Sequence, residues 1–127
     1  MNNPAPGFQR HPEHRVAIEP SAARVTVAFN GIEIASSSAT LRVDESRHDP
    51  VHYVPRDAVA MQYLEPTEHT SYCPFKGHAR YWTIRVGEKS AVNAVWAYDE
   101  PYDEAAPLAG YVAFYPERVD TLSIQAD

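Results

Sequence analysis

The sequence predicts an all-β protein, a small single domain of antiparallel sheets or a barrel with one or two short helical turns. About eight or nine segments of strand type follow one another at a spacing of roughly 8–12 residues, which is typical of sandwiches and small barrels. No segment of useful length shows the helical period. Eleven prolines interrupt the elements, and eight tyrosines favour strands. The 127 residues have the size of one domain.

The clearest element is a hairpin around Asn30-Gly31. Apolar residues alternate with polar ones before this pair, and Asn-Gly is the preferred sequence of a two-residue type I′ turn. With that turn, Phe29 lies opposite Ile32. Two residues further along, Val27 is expected opposite Ile34. All four side chains then lie on one buried face.

The other strands are short and end at turn residues or prolines. They are predicted at residues 15–20, 39–45, 51–55, 69–72, 79–86, 91–98, 111–115 and 119–124. Pro20 restricts the first of them to a sheet edge, because proline has no N–H for the ladder. In the strand at 39–45, Leu41 and Val43 point inward. Residues 56–61 predict one helical turn, 87–90 a hairpin loop, and 101–110 a loop with one further turn.

The two ends of the chain differ in composition. Residues 1–13 are polar and proline-rich, which predicts a flexible N-terminal tail before a single domain at 14–127. The tail has neither the charged nor the apolar region of a secretory signal.

The charge and cysteine content exclude several classes of protein. Eleven basic and seventeen acidic side chains give a net charge of −6, which argues against nucleic acid as a main partner. No apolar run approaches the ~20 residues that span a bilayer, so no membrane partner is predicted. One cysteine forms no internal disulfide. We expect a soluble, cytoplasmic protein.

The segment at 70–82 contains the only cysteine, Cys73. Pro74 lacks a backbone N–H and Gly77 allows a positive φ, so a tight turn is predicted. This turn presents Cys73 together with Lys76, a setting that stabilises a reactive thiolate. A free cysteine more often packs as a small apolar side chain. Both interpretations stay open, as does a ligand contact without covalent chemistry.

Metal and cofactor binding are not predicted. His69, Cys73 and His78 could supply three ligands, but their spacing fits no common zinc pattern and cysteine pairs are lacking. Acidic residues at 99–104 could hold a divalent cation, although a solvated loop is the more usual setting. The sequence has no glycine-rich phosphate loop.

Aromatic and polar residues predict a pocket wall. Trp96 and Tyr98 are two residues apart in a predicted strand, so their side chains lie on the same face. Together they form an apolar wall with one polar tip, as in small-molecule pockets. The alternation at 91–98 puts Val92 and Ala94 on the same face. The core is the other possible place for Trp96. A second group, at the end of another strand, is Tyr53, Arg56 and Asp57, of which Asp57 could instead be a helix N-cap.

Five blocks of the sequence stand in one order: RVTVAFNGIEIASSSATLRVDE, VHYVPRDAV, TSYCPFKGHARYWTI, NAVWAYDEP and AGYVAFYPERVD. Together they closely resemble the bacterial family known as domain of unknown function 427, which also carries a nucleotidyltransferase-like label. The resemblance covers about residues 14–124. The recurring motif residues of that family correspond here to Tyr53, Pro55, Asp57, Thr70, Cys73, Pro74, Lys76, Gly77, Tyr81, Trp96 and Tyr98.

The resemblance implies a compact domain similar to the β-tent fold. That fold is shared with a small guanine-exchange-factor-like protein and with a family of methionine sulfoxide reductases. Many β-tent proteins hold a structural zinc with two cysteine pairs, which this chain lacks. The family has no established reaction. A nucleotidyltransferase needs paired carboxylates and a phosphate loop, of which the chain offers only Asp57 and the loop acids.

The leading hypothesis is a domain that binds an unknown small molecule in a preformed pocket. The residues expected to converge there are Tyr53, Asp57, Cys73, Lys76, Trp96 and Tyr98. Arg56, Thr70 and Tyr81 complete the predicted ligand-binding set.

Two alternatives stay open. The first is a thiol-dependent enzyme, with Cys73 as nucleophile, Lys76 stabilising its thiolate, and Asp57 or Tyr53 transferring protons. The second is an interaction module that pairs subunits, as in a homodimer, or meets a partner through the tyrosines of the loop at 101–110.

Overall fold

A computed structural model describes residues 3–126, and within them ten strands form two antiparallel sheets. The strands are β1 (Val16–Ser21), β2 (Arg24–Phe29), β3 (Ile32–Ser37), β4 (Thr40–Glu45), β5 (Val51–Pro55), β6 (Leu64–Cys73), β7 (Gly77–Val86), β8 (Lys89–Ala97), β9 (Tyr111–Phe114) and β10 (Thr121–Gln125). The helical elements are α1 (Gly7–Arg10) and 3-10 turns at Arg56–Ala58, Met61–Tyr63, Asp103–Leu108 and Pro116–Arg118. The all-β prediction is confirmed.

The larger sheet has seven strands in the order β1-β4-β5-β9-β8-β7-β6, and the smaller one has the order β10-β2-β3. Both sheets are open. Pro20 lies in the edge strand β1, as its missing N–H predicts. An isolated bridge between Ala35 and Val59 connects β3 to the segment after β5. No helix in residues 3–126 is long and apolar enough to cross a membrane.

The predicted hairpin is present, with one difference in register. Asn30 and Gly31 have φ of 49° and 80°, as a type I′ turn requires, and Phe29 pairs with Ile32. Val27, however, pairs with Ala35 and not with Ile34. A bulge between β2 and β3 inserts one extra residue, so the predicted pairing of Val27 was wrong.

A second irregularity changes the faces of β8. Val92 is 62% exposed, whereas Trp96 and Tyr98 pack in a cluster that does not contain Ala94. Asn93 has a φ of 51°, and the pairing with β7 shifts register at this point. The strict alternation predicted for residues 91–98 was therefore wrong, and only Trp96 and Tyr98 share a face.

The strands around the cysteine turn are longer than predicted. The strand expected at 69–72 is the end of β6, which begins at Leu64 and is irregular between Pro66 and Thr70. The following hairpin loop is shorter than the predicted 87–90, because Val86 already pairs with Lys89. These two hairpins place the turn after Cys73 at one end of the large sheet.

Two buried clusters lie on the two faces of the large sheet. The first joins both sheets and contains Val27, Ile84, Val95 and Phe114 among others. The second contains residues of the large sheet and of the segment at 101–110: Val43, Tyr53, Ala79, Tyr81, Tyr98, Ala105, Leu108 and Ala113. Alternate residues of β9 enter different clusters, as expected for a strand buried on both faces.

The N-terminal segment lies against the cysteine turn. The N–H of Gly7 donates to the carbonyl of Pro74 at 2.9 Å, and Ala5 is buried. The N–H of Asn3 donates to the Asp103 carboxylate at 2.7 Å. The flexibility predicted for residues 1–13 stays a prediction. Met1 and Asn2 of this segment lie outside the described residues.

Candidate ligand-binding site

A cavity of about 470 Å³ opens next to the second cluster. Its walls come from strands β4 to β8, from the β4–β5 loop and the β6–β7 turn, and from the residues directly after β8 and β9, with one residue from the N-terminal segment. We call it the aromatic cavity. The residues that line it are His14, Val43, Glu45, His48, Asp49, Val51, Tyr53, Tyr72, Cys73, Pro74, Phe75, Lys76, Tyr81, Trp96, Tyr98 and Tyr115.

Three aromatic rings form one rigid wall of the cavity. The indole N–H of Trp96 donates to the hydroxyl of Tyr53 at 3.1 Å, and the two rings meet edge to face with centroids 6.1 Å apart. The centroid of the Tyr115 ring lies 4.5 Å from that of the Trp96 ring. Such contacts hold the rings in position because each ring is packed on a neighbour.

A carboxylate with two basic partners forms the polar end of the cavity. Glu45 accepts a hydrogen bond from Lys76 on Oε1, and its Oε2 lies 2.8 Å from His14 Nε2. The side chain of Glu45 is 10% exposed, that of Lys76 is 9% exposed and that of His14 is 15% exposed. Burial raises the pKa of Glu45, but the hydrogen bonds from Lys76 and His14 outweigh it and leave the pKa below its ordinary value. We call these three residues the Glu45 cluster.

The backbone of the turn explains why Lys76 points into the cavity. The Lys76 N–H donates to the carbonyl of Cys73 at 3.3 Å, and the Lys76 carbonyl accepts from Tyr102 at 3.0 Å. Gly77 has a φ of 124°, a conformation that L side chains rarely adopt. The ammonium group lies 6.0 Å from the centroid of the Tyr98 ring. The turn and the segment at 101–110 therefore fix the lysine together.

Cys73 is half-buried and lines the same cavity. The side-chain hydrogen bond of Lys76 goes to Glu45, so the charge that was predicted to stabilise the Cys73 thiolate is already paired. The activation of the Cys73 thiol by Lys76 stays a prediction.

The N-terminal segment completes the wall near the mouth. The His14 ring stacks on the Phe75 ring with centroids 3.9 Å apart. The Phe8 ring meets the Phe75 ring edge to face, with centroids 4.9 Å apart. A Cβ built on Gly7 would lie 2.7 Å from the Phe75 ring. Only glycine allows the segment to approach this closely, so Gly7 brings His14 within reach of Glu45.

The hydroxyls of Tyr53, Tyr98 and Tyr115 in the cavity stay protonated near neutral pH. Burial raises the pKa of Tyr53 and of Tyr98 well above the ordinary value of 10. Burial and the neighbouring Tyr81 raise the pKa of Tyr115 to about 12. The Tyr81 hydroxyl lies 2.8 Å from Ser71 Oγ. The cavity therefore presents neutral phenols.

The structure brings together six of the nine predicted site residues. Those that line the cavity are Tyr53, Cys73, Lys76, Tyr81, Trp96 and Tyr98. Their role in ligand binding stays a prediction. The other three are Arg56, Asp57 and Thr70, and they do not line it.

The expected convergence of Asp57 with the cavity residues is not found. Pro55 ends β5, and the chain then continues toward the bridge between Val59 and Ala35 of the smaller sheet. Asp57 is exposed in the 3-10 turn and makes no capping hydrogen bond. Arg56 pairs with Asp99. These residues follow the chain away from the cavity as soon as the strand ends.

Thr70 is also outside the cavity, since it is exposed in β6 opposite Arg80. The two histidines that were considered as metal ligands with Cys73 pack on different tyrosines. The centroid of the His69 ring lies 4.5 Å from that of Tyr81, and the centroid of the His78 ring lies 4.7 Å from that of Tyr72. In the part of the chain that the structure describes, no three His, Cys, Asp or Glu side chains gather as in a metal site. The loop acids Asp103 and Glu104 accept hydrogen bonds from the N-terminal backbone.

Two members of the Glu45 cluster were missed by sequence reasoning. Glu45 follows the inward-pointing Val43 by two residues, so an acidic side chain on the buried face of a predicted strand was the available signal. His14 had no such signal, because it follows the short helix outside any strand. Only the folded chain brings it to Glu45.

The fold and the cavity define a small all-β domain with an aromatic-lined cavity and a buried ion pair at its polar end. The family model for the domain of unknown function DUF427 matches residues 17–125, and the chain belongs to this family. This match confirms the resemblance seen in the five sequence blocks. A search of the curated proteins finds no match to the chain.

The Glu45 cluster predicts a loss of stability in acid. The folded pKa of Glu45 lies below its ordinary value of 4.5, so its contribution to stability is complete above about pH 4.5 and is lost as the pH falls through the folded pKa. We expect the difference in unfolding free energy between wild type and Glu45→Gln to shrink as the pH falls below about 4.5. Urea unfolding at each pH measures it. A difference that does not shrink below pH 4.5 would contradict the assigned pairing.

Proposed function

We propose that this protein binds a small molecule in the aromatic cavity. The observation that carries the proposal is the composition of the cavity wall, in which aromatic rings surround one cluster of polar groups. Ligand sites in proteins have this character, with volumes of about 300–1,000 Å³ and a few polar groups that orient the ligand. The volume of about 470 Å³ lies within that range.

The fixed positions of the wall side chains also support the proposal. The Tyr53 hydroxyl accepts a hydrogen bond from Trp96, and the Lys76 ammonium group donates one to Glu45. These side chains are held by contacts within the protein, so binding requires little loss of side-chain entropy. A cavity that is already arranged in this way favours a specific ligand over transient surface contacts.

A thermal-shift screen of small metabolites with a cavity-filling variant tests the proposal. Val51 lines the cavity, so Val51→Trp is expected to fill part of it and to abolish the shift. Val92 is 62% exposed and outside the cavity, so Val92→Trp is the matched control. A ligand at about 100 times its Kd stabilises the folded state by about 2.7 kcal/mol, which raises Tm by several degrees.

Tryptophan fluorescence reports the location of the ligand. Trp82 is buried in the first cluster, so Trp82→Phe leaves Trp96 of the cavity wall as the single indole. We expect the hits of the screen to change the Trp96 emission in this variant. The proposal is wrong if every stabilising compound shifts Val51→Trp and Val92→Trp equally, or if no compound stabilises the wild type.

A further inference from the structure

The charges at the polar end of the cavity already compensate one another. Glu45 and Lys76 form an ion pair in which each side chain is about 90% buried. The second oxygen of Glu45 is occupied by His14. A charged ligand group at this end would lose its hydration without finding an unpaired counter-ion. Asp49 and His48, at the exposed mouth, are screened by solvent.

Phenolic protons are neutral hydrogen-bond donors in the wall. The Tyr53 hydroxyl accepts from Trp96, so its own proton is left for another acceptor. Among the hydrogen bonds of residues 3–126, none involves the Tyr98 hydroxyl, although the side chain is only 7% exposed. Both pKa values are raised by burial, which keeps the protons in place at neutral pH. A matching ligand therefore carries an acceptor.

The shape of the wall favours a flat ligand. Trp96 and Tyr115 present ring surfaces that pack against each other, and the buried Tyr53 ring supports Trp96 edge to face. Flat aromatic or conjugated molecules stack on such surfaces with more contact than branched aliphatic ones.

Resting on the proposed function, we infer that the ligand is an uncharged, flat molecule that bears a carbonyl or similar acceptor. Its acceptor takes hydrogen bonds from Tyr53 and Tyr98, and its ring lies on Trp96. The Glu45 cluster sets the charge selectivity, because it offers no unpaired charge to either an anion or a cation.

Benzamide, benzoate and benzylamine test this inference, because they share one ring and differ in charge at pH 7. Titration to ~20 mM against Trp82→Phe, followed by Trp96 fluorescence, compares their Kd values. We expect benzamide to bind at least ~10-fold more tightly than either charged analogue. Tyr98→Phe should weaken benzamide about three- to tenfold, as for the loss of one neutral hydrogen bond. Tyr63→Phe, outside the cavity, is the matched control and should change nothing.

The outcomes separate this inference from the proposed function. Benzoate or benzylamine binding as tightly as benzamide would overturn the inference and leave the proposed function intact. The same conclusion follows if none of the three binds while a hit of the metabolite screen still changes the Trp96 emission. If neither the three probes nor any metabolite binds, both are wrong. The comparison of probes on one protein does not depend on whether Tyr98→Phe folds.

Discussion

Replacing Glu45 by alanine is expected to destabilise the protein by about 3–5 kcal/mol. The substitution leaves the Lys76 ammonium group buried without its carboxylate partner, and it also removes the partner of His14. An isolated charge in such surroundings costs several kcal/mol, because its hydration is lost and nothing replaces it. Urea unfolding of the wild type and the variant at pH 7 measures the difference.

The neighbouring residue provides a matched control. Asp44 pairs with Arg42 on the surface, where both side chains are nearly half exposed, so Asp44→Ala should cost less than about 1 kcal/mol. The double variant Glu45→Leu with Lys76→Met should regain much of the lost stability, since it removes both charges together. Equal effects of Glu45→Ala and Asp44→Ala would show that the Glu45 cluster is solvated and not buried.

Replacing Leu108 by alanine is expected to cost about 3 kcal/mol. Leu108 is 0% exposed and belongs to the second cluster, together with Tyr53 and Tyr98 of the cavity. It lies at the end of the 3-10 turn Asp103–Leu108, where its side chain packs the segment at 101–110 against the large sheet. Truncation leaves a void next to the cavity and removes apolar contacts. Equilibrium unfolding in urea measures the loss.

Two further variants separate packing from other effects of the Leu108 substitution. Leu108→Met conserves volume and should cost less than about 1.5 kcal/mol. Leu122→Ala, at a partly buried position of the smaller sheet, should cost less than Leu108→Ala. If Leu108→Ala proves no more costly than Leu122→Ala, the segment at 101–110 does not contribute to the core as the structure indicates.

Much of the fold could be predicted because its signals are local. The Asn30-Gly31 turn requires two positive φ values, which this pair tolerates, and the bounds of β5 follow from Val51 and Pro55. The three register irregularities, in β2–β3, β6–β7 and β7–β8, could not be predicted, since an extra residue in a strand breaks the alternation on which the prediction depends. Ile34 is 1% exposed despite the bulge, because its side chain packs in the first cluster between the two sheets.

The candidate site was predictable only in part. Tyr53 and Trp96 are inward residues of strands, and Tyr98 follows directly after β8 on the same face as Trp96. The two-residue spacing and the family motif point to all three. Asp57 belongs to that motif, but Asp57 and Arg56 follow the end of β5, where no periodicity determines the direction of the chain. The failure for Asp57 therefore has a physical origin in the turn after Pro55.

The sequence by itself determined the class of fold, the family and the turn that carries Cys73 and Lys76. It did so because turn chemistry and strand alternation are properties of neighbouring residues. The tertiary structure alone decided that Lys76 pairs with Glu45 and that His14 joins them, across 31 residues in each case. Contacts at such separations depend on how strands are ordered in the sheet, and no local pattern encodes that order.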